Sequence, residues 1–296
     1  MIRSFVYLLY DLPNLFLCTF KTIISINRKD YKSKLKLNPE KRLLILGNGP
    51  SLKKDIERIN LIHGTSDIFA VNNFANTEYF EKYKPKYYFL FDRMFWSNKV
   101  NKNLIDNREI LFSKIKNINW DMQIVLNKDG YKKIKNYFKD NKHLKVIKVN
   151  HVPCNLKLHN LHLFALKKYL CTPNFGRGVL ILALWYGILI KKKNIEIYGA
   201  DFSQFKDFEI DQYNNETVLI HNHFYKVIDG QKKNESKYKN QKVKKIHERL
   251  YNMSLMFKQM FLLSRIAELK GINVVNYSNN SYLDCFPRPT QKNNKN

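Results

Sequence analysis

The sequence is short of acid. Of its 296 residues only 25 are Asp or Glu, against 52 Lys and Arg, which leaves a formal charge of +27 at pH 7. An excess of that size implies anionic partners: phospholipid, nucleotide, a phosphorylated glycan carrier or nucleic acid. Abundant Lys, Asn, Ile, Phe and Tyr also fit compositional drift on a solvated surface. The four cysteines, Cys18, Cys154, Cys171 and Cys285, form no Cys-x-x-Cys pair and no zinc spacing, so a reduced compartment is the simpler inference. No repeat of solenoid period is present. Residues 1–26 are apolar but are broken by Asp11, Pro13 and Lys21 before the roughly 20 residues of a membrane span accumulate, and no small-residue cleavage site follows. There is no Gly-x-Ser-x-Gly for a serine nucleophile, no Asp-x-Asp at a strand end to call for a divalent ion, and no recognisable nucleic-acid module.

What remains is 44% hydrophobic, enough for one sizeable core. Apolar runs of strand type recur at Leu43 to Leu46, Ile68 to Val71, Tyr87 to Phe91, Gln123 to Leu126, Val146 to Val149, Ile195 to Tyr198 and Ile272 to Val275, with helical stretches between them. That rhythm predicts an α/β fold with a mostly parallel sheet and helices on both faces, over residues 41–286. Val179 to Ile190 reads as a buried helix, and Ile246, Leu250, Met253, Phe257, Met260 and Ser264 mark one face of a long C-terminal helix. Residues 229–245 are polar and lysine-rich and read as a lid or mobile basic loop, and 287–296 as a disordered tail. Residues 1–40 combine an apolar face with Arg28, Lys29, Lys32, Lys34 and Lys36. These are the two signals that attachment to an anionic membrane surface needs, the alternative being a helix pair docked on the core.

Leu43 to Leu52 reads as a buried strand running through Gly47-Asn48-Gly49 into a helix start at Pro50-Ser51, a geometry whose free amides make an anion pocket. It is neither common nucleotide loop: the third glycine of the dinucleotide pattern and the Gly-Lys-Ser/Thr of a P-loop are absent. Ligands of open α/β sheets sit beyond the carboxyl ends of the strands. Those ends carry Asn48, then Asn72-Asn73, then Asp92-Arg93, then Gly199-Ala200-Asp201, side chains suited to base edges, ribose hydroxyls and sugar amides. Asn174-Phe175-Gly176-Arg177-Gly178 is a second glycine-rich loop before a helix, with Arg177 placed to bridge a phosphate or carboxylate or to pair with an aspartate. In His221-Asn222-His223-Phe224-Tyr225 a histidine is the natural general base, and a metal role for the pair lacks a third ligand.

The ordered set LILGNGPSL (44–52), VNNF (71–74), the segment 88–95 around Asp92, Gly178-Val179, IYGADF (197–202), His223-Phe224-Tyr225 and NSYLDCF (280–286) resembles the bacterial sialyltransferases of glycosyltransferase family 42, the Campylobacter lipooligosaccharide group. The resemblance spans most of the chain. It implies a GT-A-like α/β nucleotide-sugar-binding domain with a flexible lid, a CMP-sialic acid donor, inversion at the anomeric carbon, and no metal or other cofactor. Carried over by position, Asn48 and Asn72 match donor-binding asparagines and His223 the catalytic base, with His221 in reserve. The departing phosphate falls to Arg177 with Tyr213 or Tyr225; Gly47, Gly49, Ser51, Asp92, Asn174, Gly176 and Asp201 complete the donor site. Four positions depart from the family: Asn174 stands where it has an arginine, Arg177 where it has a serine, Asp92 where it has an asparagine, and Ser203 where it has a tyrosine. They leave room for another CMP-activated acid sugar.

The implied partners are a nucleotide-sugar donor, an oligosaccharide or lipid-linked glycan acceptor and an anionic membrane, with no nucleic acid. The implied place is the cytoplasmic face of the inner membrane, and a homo-oligomer is compatible with it. Two rivals stand beside this reading: a pterin pyrophosphokinase-like enzyme holding a triphosphate in the same turn, and a non-catalytic basic protein that binds membrane.

Overall fold

The computed structural model describes residues 37–152, 171–173, 178–219 and 245–289, with Phe16 and Phe20 as single helical positions. In chain order the elements are β1 (Leu43–Leu46), α1 (Leu52–Ile62), β2 (Asp67–Val71), α2 (Tyr79–Tyr83), β3 (Tyr87–Leu90), α3 (Lys102–Lys116), β4 (Met122–Leu126), α4 (Lys128–Ile134), β5 (Leu144–Lys148), β6 (Asn150–Val152), β7 (Cys171–Pro173), α5 (Val179–Leu189), β8 (Asn194–Tyr198), β9 (Phe208–Ile210), β10 (Thr217–Leu219), α6 (Ile246–Leu269) and β11 (Asn273–Asn276). Short 3-10 turns follow β2 at Asn72–Asn76, β3 at Arg93–Phe95 and α4 at Lys135–Phe138.

Seven strands form one sheet in the order β11-β8-β1-β2-β3-β4-β5, and every ladder in it is parallel. The expected α/β class is therefore what the chain forms. Its central strands read as unbroken apolar runs because both faces are covered: Leu43 and Ile45 of β1 enter one core with α5 and α6, while Leu44 and Leu46 enter the other with α1 and α3. Helix α5 is buried from Leu180 to Ile188, as its all-round apolar sequence requires. Its Tyr186 ring lies 5.0 Å from Tyr87 and 5.8 Å from Phe89, centroid to centroid, so α5 is keyed to β3 by aromatic contacts.

Helix α6 differs from its expected face. Met253, Met260, Leu263, Ile266 and Ala267 are buried, whereas Leu250 is 47% exposed. A face chosen at a strict seven-residue repeat drifts around a helix of 3.6 residues per turn, and the contact with the core begins only at Met253. The pairs β6 with β7 and β9 with β10 were too short to give a periodic signal. At the C-terminus, Arg288 donates to the Ser278 and Ser281 carbonyls (2.8 and 2.7 Å), so the ordered body continues past the expected start of the tail at 287. The expected lid at 229–245, apart from Lys245, and most of the expected membrane segment at 1–40 lie outside the described residues. Among the described residues, no helix is long and apolar enough to cross a membrane.

The chain builds β1 to β5 outward on one side of β1, then returns to place β8 on the other side. The reversal makes the gap between the carboxyl ends of β1 and β8 the switch point of the sheet, where open α/β folds bind ligands.

Candidate ligand site at the carboxyl edge of the sheet

At the switch point the two strand ends touch. Gly47 N–H donates to the Tyr198 carbonyl (2.8 Å) and Gly49 N–H to the Gly199 carbonyl (2.9 Å). A Cβ on Gly47 would fall 2.3 Å from the Gly199 oxygen, and one on Gly49 would fall 1.7 Å from Asp201 Oδ2. Both glycines are thus required by the approach of one turn to the other. Asp201 closes the start of α1: Ser51 N–H donates to Oδ1 (3.2 Å) and Ser51 Oγ–H to Oδ2 (2.9 Å). The amides of Leu52, Lys53 and Lys54 donate to Gly49, Pro50 and Ser51 carbonyls.

These bonds bear on the expectation of an anion pocket at 47–52. The amides of Gly47, Gly49, Ser51, Leu52, Lys53 and Lys54 have partners within the chain, and the carboxylate of Asp201 complements the positive end of α1. Ser51 and Asp201, both expected at the donor site, are hydrogen-bonded to each other. Burial pushes the Asp201 carboxyl above its ordinary range, against the Ser51 hydrogen bonds that favour its ionised form. In the first turn of α1, Asp55 is pushed up from 3.8 to about 6, first by burial and then by the Asp201 charge, with Arg58 and Lys54 pulling the other way. A helix start should favour its carboxylate. Desolvation and a like charge outweigh that here.

The polar residues beyond β2 are arranged differently. Asn48 Nδ2 donates to the Val71 carbonyl (3.0 Å) and so ties the end of β1 to the end of β2. Asn72 has φ +49°, a left-handed conformation that asparagine tolerates better than most residues. The fully buried Tyr88 secures this turn, donating its hydroxyl to the Asn72 carbonyl and accepting from Ala75 N–H (2.7 Å). Among the described residues the side-chain oxygens of Asn72, Asn73 and Asn76 are buried without a hydrogen-bond partner. Buried polar atoms are rarely left so, and these three are acceptors that call for donor hydrogens. Asp92 turns inward on its own segment, with Oδ1 accepting from Met94 N–H (3.1 Å) and capping the turn after β3.

A strap at the C-terminus braces the β8 end of the site. Ser278 Oγ accepts from Ala200 N–H (2.8 Å), Ser281 Oγ–H donates to the Ala200 carbonyl (2.5 Å), and Tyr282 N–H donates to the Asp201 carbonyl (2.8 Å). The fully buried Asn276 holds the strap by donating to Ser281 Oγ (3.1 Å) and to the Leu283 carbonyl (3.2 Å). The closing NSYLDCF segment therefore positions Asp201, and through it Ser51 and the glycine turn. Cys285 within it is a half-buried thiol pushed up to about 12, mainly by desolvation.

Of the sequence-predicted residues, the structure brings Gly47, Asn48, Gly49, Ser51, Asn72, Asp92 and Asp201 to the carboxyl edge of the sheet. Tyr213 lies in the hairpin between β9 and β10 with its side chain fully exposed. Asn174, Gly176, Arg177, His221, His223 and Tyr225 lie outside the described residues. Sequence reasoning missed Asp55, Tyr88, Ser278 and Ser281. Ser281 was inside a quoted motif, and Tyr88 carries a hydroxyl into an otherwise apolar strand, where it must find a partner. Among the described residues no group of three or more His, Cys, Asp and Glu is placed to hold a metal ion.

No protein-family model matches the chain, and no curated protein matches it. Among solved structures it is similar to the MAf glycosyltransferase from Magnetospirillum magneticum AMB-1, at 11% sequence identity with a TM-score of 0.48. That match covers 88% of this chain and 35% of the other, so this chain spans about a third of that protein's length.

Proposed function

We propose that the chain is an inverting glycosyltransferase that moves sialic acid, or another CMP-activated acid sugar, onto a galactose-type hydroxyl of a bacterial surface glycan precursor such as lipooligosaccharide, O-antigen or capsule. The observation that carries the reading is the group of buried asparagine oxygens beyond β2 that have no partner among the described residues, beside Asn48 and the switch point. Those acceptors suit hydroxyls and an exocyclic amine. They suit a phosphate poorly, and with the amides of Gly47, Gly49, Ser51 and Leu52 engaged internally the charge of the departing phosphate is assigned to Arg177, with Tyr225 or Tyr213.

In this mechanism the acceptor hydroxyl attacks the anomeric carbon opposite the leaving CMP, and His223 removes its proton, a contribution of about 10² to 10⁴ in rate. His221 is the reserve base. Each oriented donor to the developing phosphate charge adds about 3 kcal/mol of transition-state stabilisation.

Thermal shift against CMP, UDP, GDP and ATP tests the donor, since a ligand at about 100 times its dissociation constant stabilises by about 2.7 kcal/mol. CMP is expected to stabilise most, and a preference for ATP would overturn the reading. With His223→Ala, transfer from CMP-sialic acid to a galactose-terminated acceptor should collapse while CMP binding persists. Near-normal turnover would remove the residue from the mechanism. Glycosyl transfer is expected to survive a chelator, whereas pyrophosphoryl transfer from ATP that a chelator abolishes would favour the pyrophosphokinase-like alternative.

A further inference from the structure

Among the described residues, a marked concentration of positive charge lies away from the switch point, along the β5 edge of the sheet. Residues 128–148 contain eight lysines, no arginine and only two acids, Asp129 and Asp140. Lys128, Lys132, Lys133, Lys135, Lys139 and Lys142 are exposed, and no carboxylate pairs with any of the six among the described residues. Helix α6 shows the contrast: its 24 residues carry Arg249, Lys258 and Arg265 against Glu248 and Glu268. A uniform drift towards lysine would not load one edge and leave a long helix nearly balanced.

Contacts join the end of α3, α4 and β5 along this edge of the sheet. The Tyr137 ring packs on Phe112 of α3 (5.2 Å), with the Lys116 ammonium 5.7 Å from its centroid. The Tyr131 ring of α4 has the Lys135 ammonium at 5.1 Å and that of Lys148, at the end of β5, at 5.7 Å. Asn141 Nδ2 donates to the Lys116 and Ile118 carbonyls (both 2.8 Å), joining the loop before β5 to the end of α3. Lysines on an edge strand also discourage strand pairing between molecules. All six exposed lysines lie outside β5, so edge protection does not account for them.

We propose that this face docks on a bilayer containing anionic lipid. Lysine is a strongly hydrated point charge on a long apolar stem, which suits a diffuse layer of headgroups, and the 40% exposed Tyr137 sits among the lysines as an interfacial anchor. A nucleic acid would instead favour arginine forks and open aromatic faces for base stacking, and here ammonium groups lie over the tyrosine rings. The inference is independent of the proposed sugar transfer and of the segment 1–40.

The test is co-sedimentation of the full chain with phosphatidylcholine vesicles, with and without phosphatidylserine. Lys132→Gln/Lys133→Gln/Lys135→Gln/Lys139→Gln/Lys142→Gln is compared with a control of equal charge change, Lys53→Gln/Lys82→Gln/Lys102→Gln/Lys258→Gln/Lys270→Gln. The account expects binding only to the anionic vesicles, a loss of about 100-fold or more in the first variant and a loss of a few-fold in the control, all weakened by salt. Should the first variant fail to fold, Lys139→Glu/Lys142→Glu, both at exposed loop positions, gives the same readout. Absence of vesicle binding by the unaltered chain, equal losses in the two variants, or full binding by the first overturns the proposal. So does a first variant that loses poly(U) RNA but keeps vesicles.

Discussion

The two ends of the parallel sheet treat polar groups in opposite ways. At the amino edge the Lys192 ammonium, with no exposed surface, pairs with Asp67 at the start of β2 and donates to the Asn38 carbonyl (2.6 Å) and the Lys41 carbonyl (3.1 Å). Its three donors have three acceptors. At the carboxyl edge three asparagine oxygens are buried without partners among the described residues, Asp55 and Asp201 crowd one helix start, and Asn72, Gly199 and Phe202 hold positive φ. Completeness at one end and deficit at the other separate a structural clamp from a surface prepared for something else.

Substitutions should divide along the same line. The largest effect is expected from Lys192→Met, which leaves the buried Asp67 carboxylate only the partly exposed Lys41 ammonium at 3.6 Å and should lower unfolding free energy by about 3 kcal/mol in urea melts, with ligand affinity of the folded fraction unchanged. A loss under about 1 kcal/mol would break the comparison at its strong end.

Next comes Asp55→Asn. The raised value of about 6 means that the native state holds a proton between about pH 4 and pH 6 that the unfolded chain has released, so stability rises as pH falls through that window and is lowest above it. The asparagine should flatten that slope and stabilise the protein at pH 7 by about 1 to 2 kcal/mol, a figure discounted for solvent screening of a half-buried group. Thermal melts across pH 4 to 7.5 check it, and an unchanged slope would assign the crowding to another group.

The smallest expected change is in Asn72→Gly. Glycine accepts the left-handed backbone freely, so stability should hold or rise by up to about 1 kcal/mol while CMP affinity falls. A destabilised protein with intact affinity would make Asn72 a structural residue after all.

Much of this contrast was legible in the sequence. Asn72, Asn73 and Asp92 follow apolar runs that could only be buried strands, and the parallel order followed from helices between them. The glycine turn was legible as a turn but not in what fills it. Asp201 lies 150 residues from Ser51, and only the return of the chain to β8 brings its carboxylate to the helix start that a phosphate was expected to occupy. Lys192 gave no signal either, since a lysine after an apolar helix reads as solvent-facing until β2 supplies Asp67. The strap was visible as the NSYLDCF motif, yet its task of bracing Ala200 and Asp201 depends on contacts across about 80 residues, which no local periodicity encodes.

The central claim is that the buried asparagine oxygens beyond β2 await the donor hydrogens of a cytidine nucleotide. Calorimetric titration of CMP into the full chain and into Asn72→Gly/Asn73→Ala tests it most directly. The account predicts saturable binding that weakens at least about tenfold in the double variant, because a site built to bond such groups loses its partners. Equal affinity in the two proteins, or no binding by the unaltered chain, would contradict it.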